Sequence, residues 1–559
     1  MTTTLTPAET FKRDWLDGFV GAYGRTVRKV PGAYGVVGRH VPRPGKVAVV
    51  IGGGCGHYPA FAGLVGPGLA AGAVVGDVFT SPSAEQVYRT ARAADGGAGV
   101  LFAYGNYQGD VLHFGLAARR LAAEGIDSRT VLVTDDIASG PPEAPEGRRG
   151  VAGDLLVFKV AGAAAERGDD LAAVQAAAEL ANARTRTFGV AFDGCTLPGA
   201  REPLFTVAES QMEVGLGIHG EPGVRTVPRL SATELADVLV DGLLPELPGT
   251  DRRVVAVLNG LGRTKYEDMF ATYARIHQRL AAEGLNPVHA EVGEFVTSLD
   301  MAGVSLTLLE LDDELAELYA APCDTPAFRS GGAVLDAVEP HVTTDAALAT
   351  VDGEAGEGVV DRALTAALRS LEHHEGELGR LDAVAADGDH GLGMTRGMRA
   401  AVAAARQVPP DDLSGALLAA GTAFADAAGG ASGALYGVLL AETGAGLRGT
   451  CPDTATLADA VDAAVRAFTE LGRAEPGDKT MLDAIEPFRQ ALREQARAAA
   501  SVAQAWRVAA ERAAKAAEAT ADLLPTRGRA ARLAERSRGH ADPGATSFAL
   551  LVTAVGETL

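Results

Sequence analysis

The chain has 559 residues, more than the ~250–300 at which one hydrophobic core usually divides, so two or three domains are expected. Hydrophobic residues make up 47% and charged residues 22%, a balance typical of a globular protein and not of a disordered one. The formal net charge of −22 argues against nucleic acid or an anionic membrane as a partner, because both need a positive protein surface.

Cysteine usage and the first residues bear on the compartment. Cys55, Cys195, Cys323 and Cys451 are scattered without a CxxC spacing, which favours a reducing compartment over a disulfide framework or a zinc site. The beginning, MTTTLTPAETFKRDWLDGF, lacks the basic start and apolar core of a signal peptide. No stretch reaches ~18 uninterrupted apolar residues, so we expect a cytoplasmic protein without a membrane span.

Residues 1–335 alternate strand-like and helical stretches. Short β-branched runs that end in Gly, Asp or Asn lie at 46–54, 98–106, 130–136 and 253–262. Amphipathic helical patterns such as 111–125 separate them. This alternation predicts an α/β domain with a largely parallel sheet, in which ligands bind at the carboxyl ends of the strands.

The character of the chain changes after residue 335. Residues 336–358 are acidic, contain Pro and Gly, lack an apolar period and are predicted to be a linker. Residues 359–559 are rich in Ala, the best helix former, and predict an all-α domain with functional loops at helix ends. Only the final ALLVTAV segment (549–555) fits either a strand or a buried helix.

Three aspartates share one short loop of the helical half. Asp382, Asp387 and Asp389 stand in LDAVAADGDHGLG. Carboxylates this dense repel one another unless a cation lies between them, and Mg²⁺ prefers such oxygen ligands together with phosphate oxygens. The alternative is a solvated acidic turn, since acidic turns with glycine are common.

Other turns of the helical half suit phosphate. Gly429, Gly430 and Ser432 precede a helical run, where backbone N–H groups form an anion cradle, although a plain helix-packing turn also fits. Two further turns supply side chains suited to bind phosphate or a metal ion: Lys479, Thr480, Arg527, Arg529, Arg536 and Asp542. Together with the aspartates these turns indicate phosphoryl transfer, and neither a Walker motif nor a protein-kinase signature is present.

In the α/β half, polar residues follow the buried strands in Gly-rich turns. His57 lies in GGGCGHYPAFAG, Ser81 in GDVFTSPSAEQ, Asp110 in GNYQGDVLHFG and His219 in EVGLGIHGEPG. A neutral imidazole can attack a ketone carbonyl, and a carboxylate such as Asp110 can take a proton from a hydroxyl. A histidine between glycines also has a purely structural interpretation.

Over nearly its full length the chain resembles the ATP-dependent dihydroxyacetone kinases. The first half carries GGGxGHxPA, NYxGDxxxFG, DDIA, RGVAGDLLVFKVAGAAAE, GLGIHGEPG and SLDMAGVSLTLL. The second half carries LDxxxxDGDHG, GGASGALYG, GDKTMLDA and GHADPGA. The resemblance implies an α/β ketose-binding domain joined to an all-α, eight-helix barrel that binds ATP, in a homodimer whose helical domain can serve the partner chain.

The resemblance also implies roles for individual residues. His219 would hold the ketone as a hemiaminal, Asp110 would be the base for the accepting hydroxyl, and His57 would hydrogen-bond close by. Substrate would be lined by Gly54, Ser81, Gly105, Asp110 and His219. Mg²⁺ would be held by Asp382, Asp387 and Asp389. The nucleotide would be surrounded by His390, Gly429, Gly430, Ser432, Arg529 and Asp542.

The chain departs from the family pattern at four positions. Gly105 stands where Lys usually precedes NYxGD, Tyr58 and Phe61 change HExPAHAG, and Arg532 replaces the tyrosine of GRASYL. Loss of the lysine volume leaves room for one more carbon, and the pattern resembles the erythrulose-kinase branch. We therefore expect a kinase of a terminal hydroxyl of a short-chain ketose, with erythrulose favoured over dihydroxyacetone.

Three alternatives remain open at this point. The chain can be a dihydroxyacetone (glycerone) kinase proper, with FAD-AMP lyase activity that forms cyclic FMN as a side reaction. It can be a ketose-sensing regulator, although that would predict a missing covalent histidine or missing metal ligands. A phosphoenolpyruvate-fed system is disfavoured because its two domains are usually separate chains.

Overall fold

In the computed structural model the chain divides into two units, Met1–Val338 and Glu339–Leu559. The structure describes residues 5–249, 251–331, 358–384, 386, 388–447, 453–526 and 536–559. The linker predicted at 336–358 lies outside the described residues except for Gly358. None of the described helices combines the length and the apolar character that a membrane crossing requires.

The first unit contains a mixed six-stranded sheet, sheet 1. Its strands are β1 (Val27–Lys29), β2 (Gly35–Gly38), β3 (Ala48–Cys55), β4 (Gly72–Val78), β5 (Val100–Gly105) and β6 (Ser128–Val133). They lie in the order β1-β2-β4-β3-β5-β6. The four neighbouring strands β4, β3, β5 and β6 are parallel. Strand β1 pairs antiparallel with β2, and β2 pairs antiparallel with β4. The predicted parallel sheet is confirmed for this part.

A second six-stranded sheet, sheet 2, follows along the chain. Its strands are β7 (Thr185–Asp193), β8 (Gln211–Val214), β9 (Arg225–Pro228), β10 (Arg253–Gly260), β11 (Asn286–Gly293) and β12 (Ala302–Glu310). They lie in the order β11-β10-β12-β7-β8-β9, and only β10 and β11 are parallel. The expectation of a largely parallel sheet is wrong here. The described connections 194–210, between β7 and β8, and 215–224, between β8 and β9, contain no helix, and strands joined without a helical crossover commonly pair antiparallel.

Helices cover both sheets. Those of the first unit are α1 (Ala8–Tyr23), α2 (Ala84–Ala94), α3 (Gln108–Ala123), α4 (Asp154–Arg167), α5 (Leu171–Arg184), α6 (Ala232–Leu243), α7 (Tyr266–Ala282) and α8 (Asp313–Ala320). Short 3₁₀ turns span Ala62–Leu64, Ile137–Ser139, Pro145–Gly147 and Leu244–Glu246. The two-residue strands β13 (Cys323–Asp324) and β14 (Arg329–Ser330) pair with each other.

The alternation of side chains along β3 explains the layering of sheet 1. Val49 and Ile51 belong to one buried cluster together with α4 and α5, whereas Ala48 and Val50 point to the other face, towards α2 and α3. The first cluster also contains residues of sheet 2, so α4 and α5 lie between the two sheets. Helices α6 and α7 cover the opposite face of sheet 2. Both faces of each sheet are therefore buried.

The second unit is a closed ring of helices. In its described residues the helices are α9 (Val359–Ala383), α10 (His390–Ala405), α11 (Leu413–Ala428), α12 (Gly430–Gly446), α13 (Thr454–Gly472), α14 (Leu482–Arg497), α15 (Val502–Ala519) and α16 (Pro543–Gly556), with a 3₁₀ turn at Thr520–Asp522. Each helix packs against the next, and α16 packs against α9. The eight-helix barrel is confirmed, and 549–555 is helical.

Ring topology explains why distant motifs meet. Consecutive helices of such a ring run in opposite directions, so every second connection lies at the same end. The connections after α9, α11, α13 and α15 carry the aspartate loop, the Gly429–Gly430 turn, the Lys479 turn and the Asp542 turn. Four motifs at Asp389, Gly429, Lys479 and Asp542, separated by 40, 50 and 63 residues along the chain, are thereby placed at one end of the ring.

Candidate functional site

The cavity at that end of the helical ring has a volume of about 590 Å³. Most of the nucleotide and metal candidates line it: Asp382, Asp389, His390, Gly429, Gly430, Ser432 and Asp542, together with Lys479 and Thr480. Asp387 and Arg529 lie outside the described residues. The structure therefore brings together the described members of this group.

Two carboxylates of the aspartate loop face the cavity from adjacent helix ends. Asp382 lies in the last turn of α9, and Asp389 is the residue just before α10. The backbone N–H of Gly388 donates to Asp382 Oδ2 at 2.9 Å, which folds the loop back onto the helix. Among the described residues no cluster of three metal-ligating side chains forms. The two carboxylates beside this cavity nevertheless fit Mg²⁺, which is commonly bound by one or two protein carboxylates.

The start of α12 is open to the cavity. Gly429 and Gly430 adopt φ values of +65° and +59°, and a Cβ at either position would meet no described atom within 4 Å. No side chain caps this helix in the described structure. Its first N–H groups are thus available to an anion, as a helix N-terminus favours.

His390 contacts residues near the N-termini of two other helices. Its Nε2 lies 2.9 Å from Ser547 Oγ, and its Nδ1 lies 3.4 Å from Ser432 Oγ. Burial lowers the pKa of the His390 imidazole, against the opposing effect of Asp382 and Asp389. A neutral His390 held on both sides fixes the geometry of the cavity wall.

Lys479 and Asp542 close the far side of the cavity. The Lys479 ammonium donates to the carbonyl oxygens of Leu523 at 3.0 Å and Ser537 at 2.7 Å. Asp542 caps α16 by accepting from the N–H of Ala545 at 2.8 Å. Burial, reinforced by Asp483 and opposed by Lys479 and the helix N–H groups, raises the pKa of Asp542 to about 6.

In the α/β unit, the two candidate histidines meet. His57 Nε2 lies 3.1 Å from His219 Nε2, although the residues are 162 positions apart. His57 follows the carboxyl end of β3, a central strand of sheet 1, and His219 lies in the connection between β8 and β9 of sheet 2. The site is therefore assembled by loops of both sheets.

His57 is neutral and fixed in one tautomer. Its Nδ1 lies 2.7 Å from the carbonyl oxygen of Thr297, which can only accept, so the proton is on Nδ1. Burial, together with the neighbouring His219, lowers the pKa of His57 to about 3. The Phe79 ring stacks on His57 with centroids 5.0 Å apart and packs edge-on against His219. His57 thus offers a lone pair at Nε2.

Asp110 is a buried carboxyl in the first turn of α3. Burial raises its pKa to about 6, against the opposing effects of a hydrogen bond from Ser81 and of His219. Its Oδ1 has no hydrogen-bond partner among the described residues. An unpartnered buried carboxylate oxygen beside a histidine pair is suited to accept a substrate hydroxyl proton.

Two glycines shape the approach to these groups. A Cβ at Gly54 would lie 2.7 Å from the backbone nitrogen of Thr80, so this position requires glycine. A Cβ at Gly105 would lie 3.1 Å both from the Gly150 carbonyl oxygen and from Tyr107 Cε2. Gly105 thus faces the Tyr107 ring and not open space. The space that a glycine at position 105 adds to the ketose pocket is therefore set by the position of the Tyr107 ring.

Sequence reasoning missed several contacts of the histidine pair. Glu221 holds His219 Nδ1 at 3.0 Å, and Arg149 lies 3.6 Å from Glu221. Thr297 fixes His57 from a loop 240 residues away. Glu221 stands two residues after His219 in GLGIHGEPG, so its position was the available signal. Arg149 stands in the quoted segment RGVAGDLLVFKV, far from both histidines in the sequence.

Comparison with known families identifies the two units. Residues 17–327 match the Dak1 domain, and residues 384–557 match the DAK2 domain. The chain belongs to the dihydroxyacetone kinase family. It is a phosphotransferase with an alcohol group as acceptor.

Two curated members of this family match the chain over almost its whole length. The chain is 51% identical to L-erythrulose 1-kinase of Mycolicibacterium smegmatis, with 100% of both chains covered. It is 52% identical to D-erythrulose kinase of the same organism, with 98% of this chain and 97% of the other covered. The dihydroxyacetone kinase of C. freundii, solved with AMP-PNP and Mg²⁺, matches with a TM-score of 0.60 and 28% identity, covering 100% of each chain.

Proposed function

We propose that this member of the dihydroxyacetone kinase family is an ATP-dependent kinase of the four-carbon ketose erythrulose, which it favours over dihydroxyacetone. The observation that carries the proposal is the His57–His219 pair beside the buried Asp110, a site suited to a carbonyl compound with a neighbouring hydroxyl. Sequence identities of 51% to an L-erythrulose 1-kinase and 52% to a D-erythrulose kinase support the four-carbon substrate. Because these values are nearly equal, they do not favour one enantiomer.

Capture of the ketose is assigned to His219. Its side chain is 22% exposed, so a ligand can reach the ring, whereas His57 is buried. Attack of Nε2 on the carbonyl carbon would form a hemiaminal, which a polyol without a carbonyl cannot do. Gly54, Ser81 and Gly105 are proposed to line the bound ketose.

Asp110 is proposed as the general base. In its ionised form it can accept the proton of the terminal hydroxyl while that oxygen attacks the γ-phosphate. The hydrogen bond from Ser81 orients the carboxylate. Because Asp110 is buried, its raised pKa keeps it basic enough for this role at neutral pH.

The helical unit is proposed to hold the nucleotide with Mg²⁺. Asp382 and Asp389, with Asp387 from the same loop, would hold Mg²⁺, which when bound neutralises charge on the phosphates. Gly429, Gly430 and Ser432 would receive phosphate oxygens at the start of α12. His390, Arg529 and Asp542 would complete the surroundings of the nucleotide.

We further propose that residues 1–335 act as the ketose domain and 359–559 as the nucleotide domain of a cytoplasmic homodimer. The family resemblance supports the dimer, and the free thiols of Cys55, Cys195 and Cys323 fit a reducing compartment. Mixing His219→Ala chains with Asp389→Asn chains tests it. If the helical domain serves the partner chain, the mixture has a higher ketose kinase activity than either variant alone.

A coupled ATP/Mg²⁺ assay tests the substrate proposal. We expect a higher kcat/KM for D- or L-erythrulose than for dihydroxyacetone or glyceraldehyde, and no measurable turnover of glycerol. A higher kcat/KM for dihydroxyacetone than for both erythrulose enantiomers would instead assign the chain as a dihydroxyacetone kinase proper. Turnover of glycerol comparable to that of the ketoses would contradict capture through the carbonyl.

A further inference from the structure

Both ring nitrogens of His219 face groups that accept hydrogen bonds. On one side, His57 presents the lone pair of Nε2 at 3.1 Å, because its own proton is directed to Thr297. On the other side, Glu221 Oε1 lies 3.0 Å from His219 Nδ1. The His219 ring is therefore held between two hydrogen-bond acceptors, the neutral His57 and the negatively charged Glu221.

Glu221 is ionised and held at several points. Burial opposes its ionisation, but the hydrogen bond and charge of His219, together with Arg149, outweigh that effect and lower the pKa to about 2. Its Oε2 accepts from the backbone N–H of His219 at 3.0 Å and lies 3.6 Å from the Arg149 guanidinium. Arg149 is in turn paired with Asp136 at 2.8 Å.

The surrounding glycine segment makes this arrangement possible. A Cβ at Gly217 would lie 2.1 Å from Glu221 Oε2 and 2.4 Å from the Arg149 guanidinium nitrogen. Any larger residue would push the carboxylate away from the ring. The absence of a side chain at position 217 thus serves the contact between Glu221 and His219.

We propose that Glu221 is a positioning residue for ketone capture, whose carboxylate keeps a proton on His219 Nδ1 and so leaves Nε2 as the nitrogen that bonds to the substrate carbonyl. The same carboxylate offsets the positive charge that the ring carries in the adduct. This inference rests on the proposed capture of the ketose by His219 and adds the residue that controls the tautomer of that ring.

The covalent step balances with these groups alone. Starting from the ring with hydrogen on both nitrogens, the Nε2–H bond breaks first, and the electron pair left on Nε2 of the now neutral ring forms the bond to the carbonyl carbon. The C=O π pair moves to the oxygen, which takes the released proton and becomes a hydroxyl. The ring keeps Nδ1–H and one positive charge, which faces the Glu221 carboxylate. Reversal of these steps releases the ketose.

Glu221→Gln removes the charge but keeps the size and one acceptor oxygen. The matched control is Glu213→Gln in β8, whose carboxylate accepts from Thr226 and does not contact His219. The readout is the ¹³C spectrum of racemic erythrulose labelled at the carbonyl carbon, bound to the full chain without ATP. A captured ketose gives a tetrahedral-carbon resonance in place of the carbonyl resonance.

We expect Glu221→Gln to weaken adduct formation and to raise the KM for ketose by about tenfold or more, since hydrogen bonds to charged groups are roughly twice as strong as neutral ones. The KM for ATP and the Glu213→Gln adduct should be unchanged, and Glu221→Asp should recover part of the signal. Gly217→Ala, which displaces the carboxylate without altering its charge, should show the same loss.

Wild-type adduct affinity in Glu221→Gln would overturn the inference while leaving capture by His219 intact. Failure of the wild-type protein to form any adduct, with a spectrum equal to that of His219→Ala, would overturn the proposed capture and the inference with it. Unfolding temperatures equal to wild type in Glu221→Gln exclude a misfolded variant as the cause of a loss.

Discussion

Replacing Asp110 by Asn separates the chemical role of this carboxyl from its contribution to stability. Burial raises the pKa of Asp110 from an ordinary value of 3.8 to about 6. A rise of about two pKa units corresponds to about 3 kcal/mol, at about 1.4 kcal/mol per unit. Because the folded state binds this proton more tightly, the associated stability is present below pH ~4 and lost as pH rises through about 6.

Asn at position 110 cannot ionise, so the variant does not lose stability as the pH rises through about 6. At pH 8 we expect the α/β unit of the variant to be more stable than wild type by up to about 3 kcal/mol, and at pH 4 this difference should fall to about 0.5 kcal/mol. Kinase activity should fall by about 10²–10⁴-fold, the usual contribution of a general base. In the wild type, kcat/KM for ketose should rise with pH through about 6 and then level off.

The stability of the α/β unit can be measured in the full chain because the two tryptophans lie in different units. Trp15 is in α1 and Trp506 in α15. In a Trp506→Phe background, urea unfolding followed by fluorescence reports on Trp15 alone. A variant less stable than wild type at pH 8, a stability difference that does not change with pH, or an acid limb near pH 4 in the rate profile would refute the reasoning.

The remaining predictions concern the ketose pocket and the metal. His219→Ala should abolish the tetrahedral adduct and reduce discrimination against polyols in the coupled assay; unchanged ketose selectivity would contradict the assignment. Gly54→Ala, whose Cβ would lie 2.7 Å from the Thr80 nitrogen, should lower kcat/KM for ketose at least about tenfold, whereas the control Gly18→Ala meets no atom within 4 Å and should not. Asp389→Asn should abolish Mg²⁺-dependent ATP turnover and leave ketose capture unchanged. The control is Asp411→Asn, at an exposed position, which should keep full activity. Full activity in Asp389→Asn would contradict the assignment of Asp389 as a metal ligand.

Local sequence signals were sufficient for the elements but not for their arrangement. The strand-like runs at 46–54 and 253–262 became β3 and β10, because buried β-branched runs have few other conformations available. The antiparallel pairing of sheet 2 was not predictable from these runs. It depends on which strands the helix-free connections bring together, and no single segment encodes that choice.

The candidate site shows the same division. His57, Asp110 and His219 could be singled out because each stands in a Gly-rich turn after a strand. Their protonation could not be predicted, since it depends on Thr297 and Glu221 as hydrogen-bond partners. In the helical unit, the turns proposed to bind phosphate lie at one end because consecutive helices run in opposite directions, and the structure adds the packing of α16 on α9 that closes the ring.

The most direct test of the account compares a ketose with the polyol of the same carbon number. Purified full-length protein is assayed with ATP and Mg²⁺ on erythrulose and on erythritol, which differ at one carbon by a carbonyl and an alcohol. Because His219 is proposed to hold the substrate through its carbonyl, we predict a kcat/KM for erythrulose at least about a hundredfold above that for erythritol. Equal values for the two compounds would contradict covalent recognition by His219.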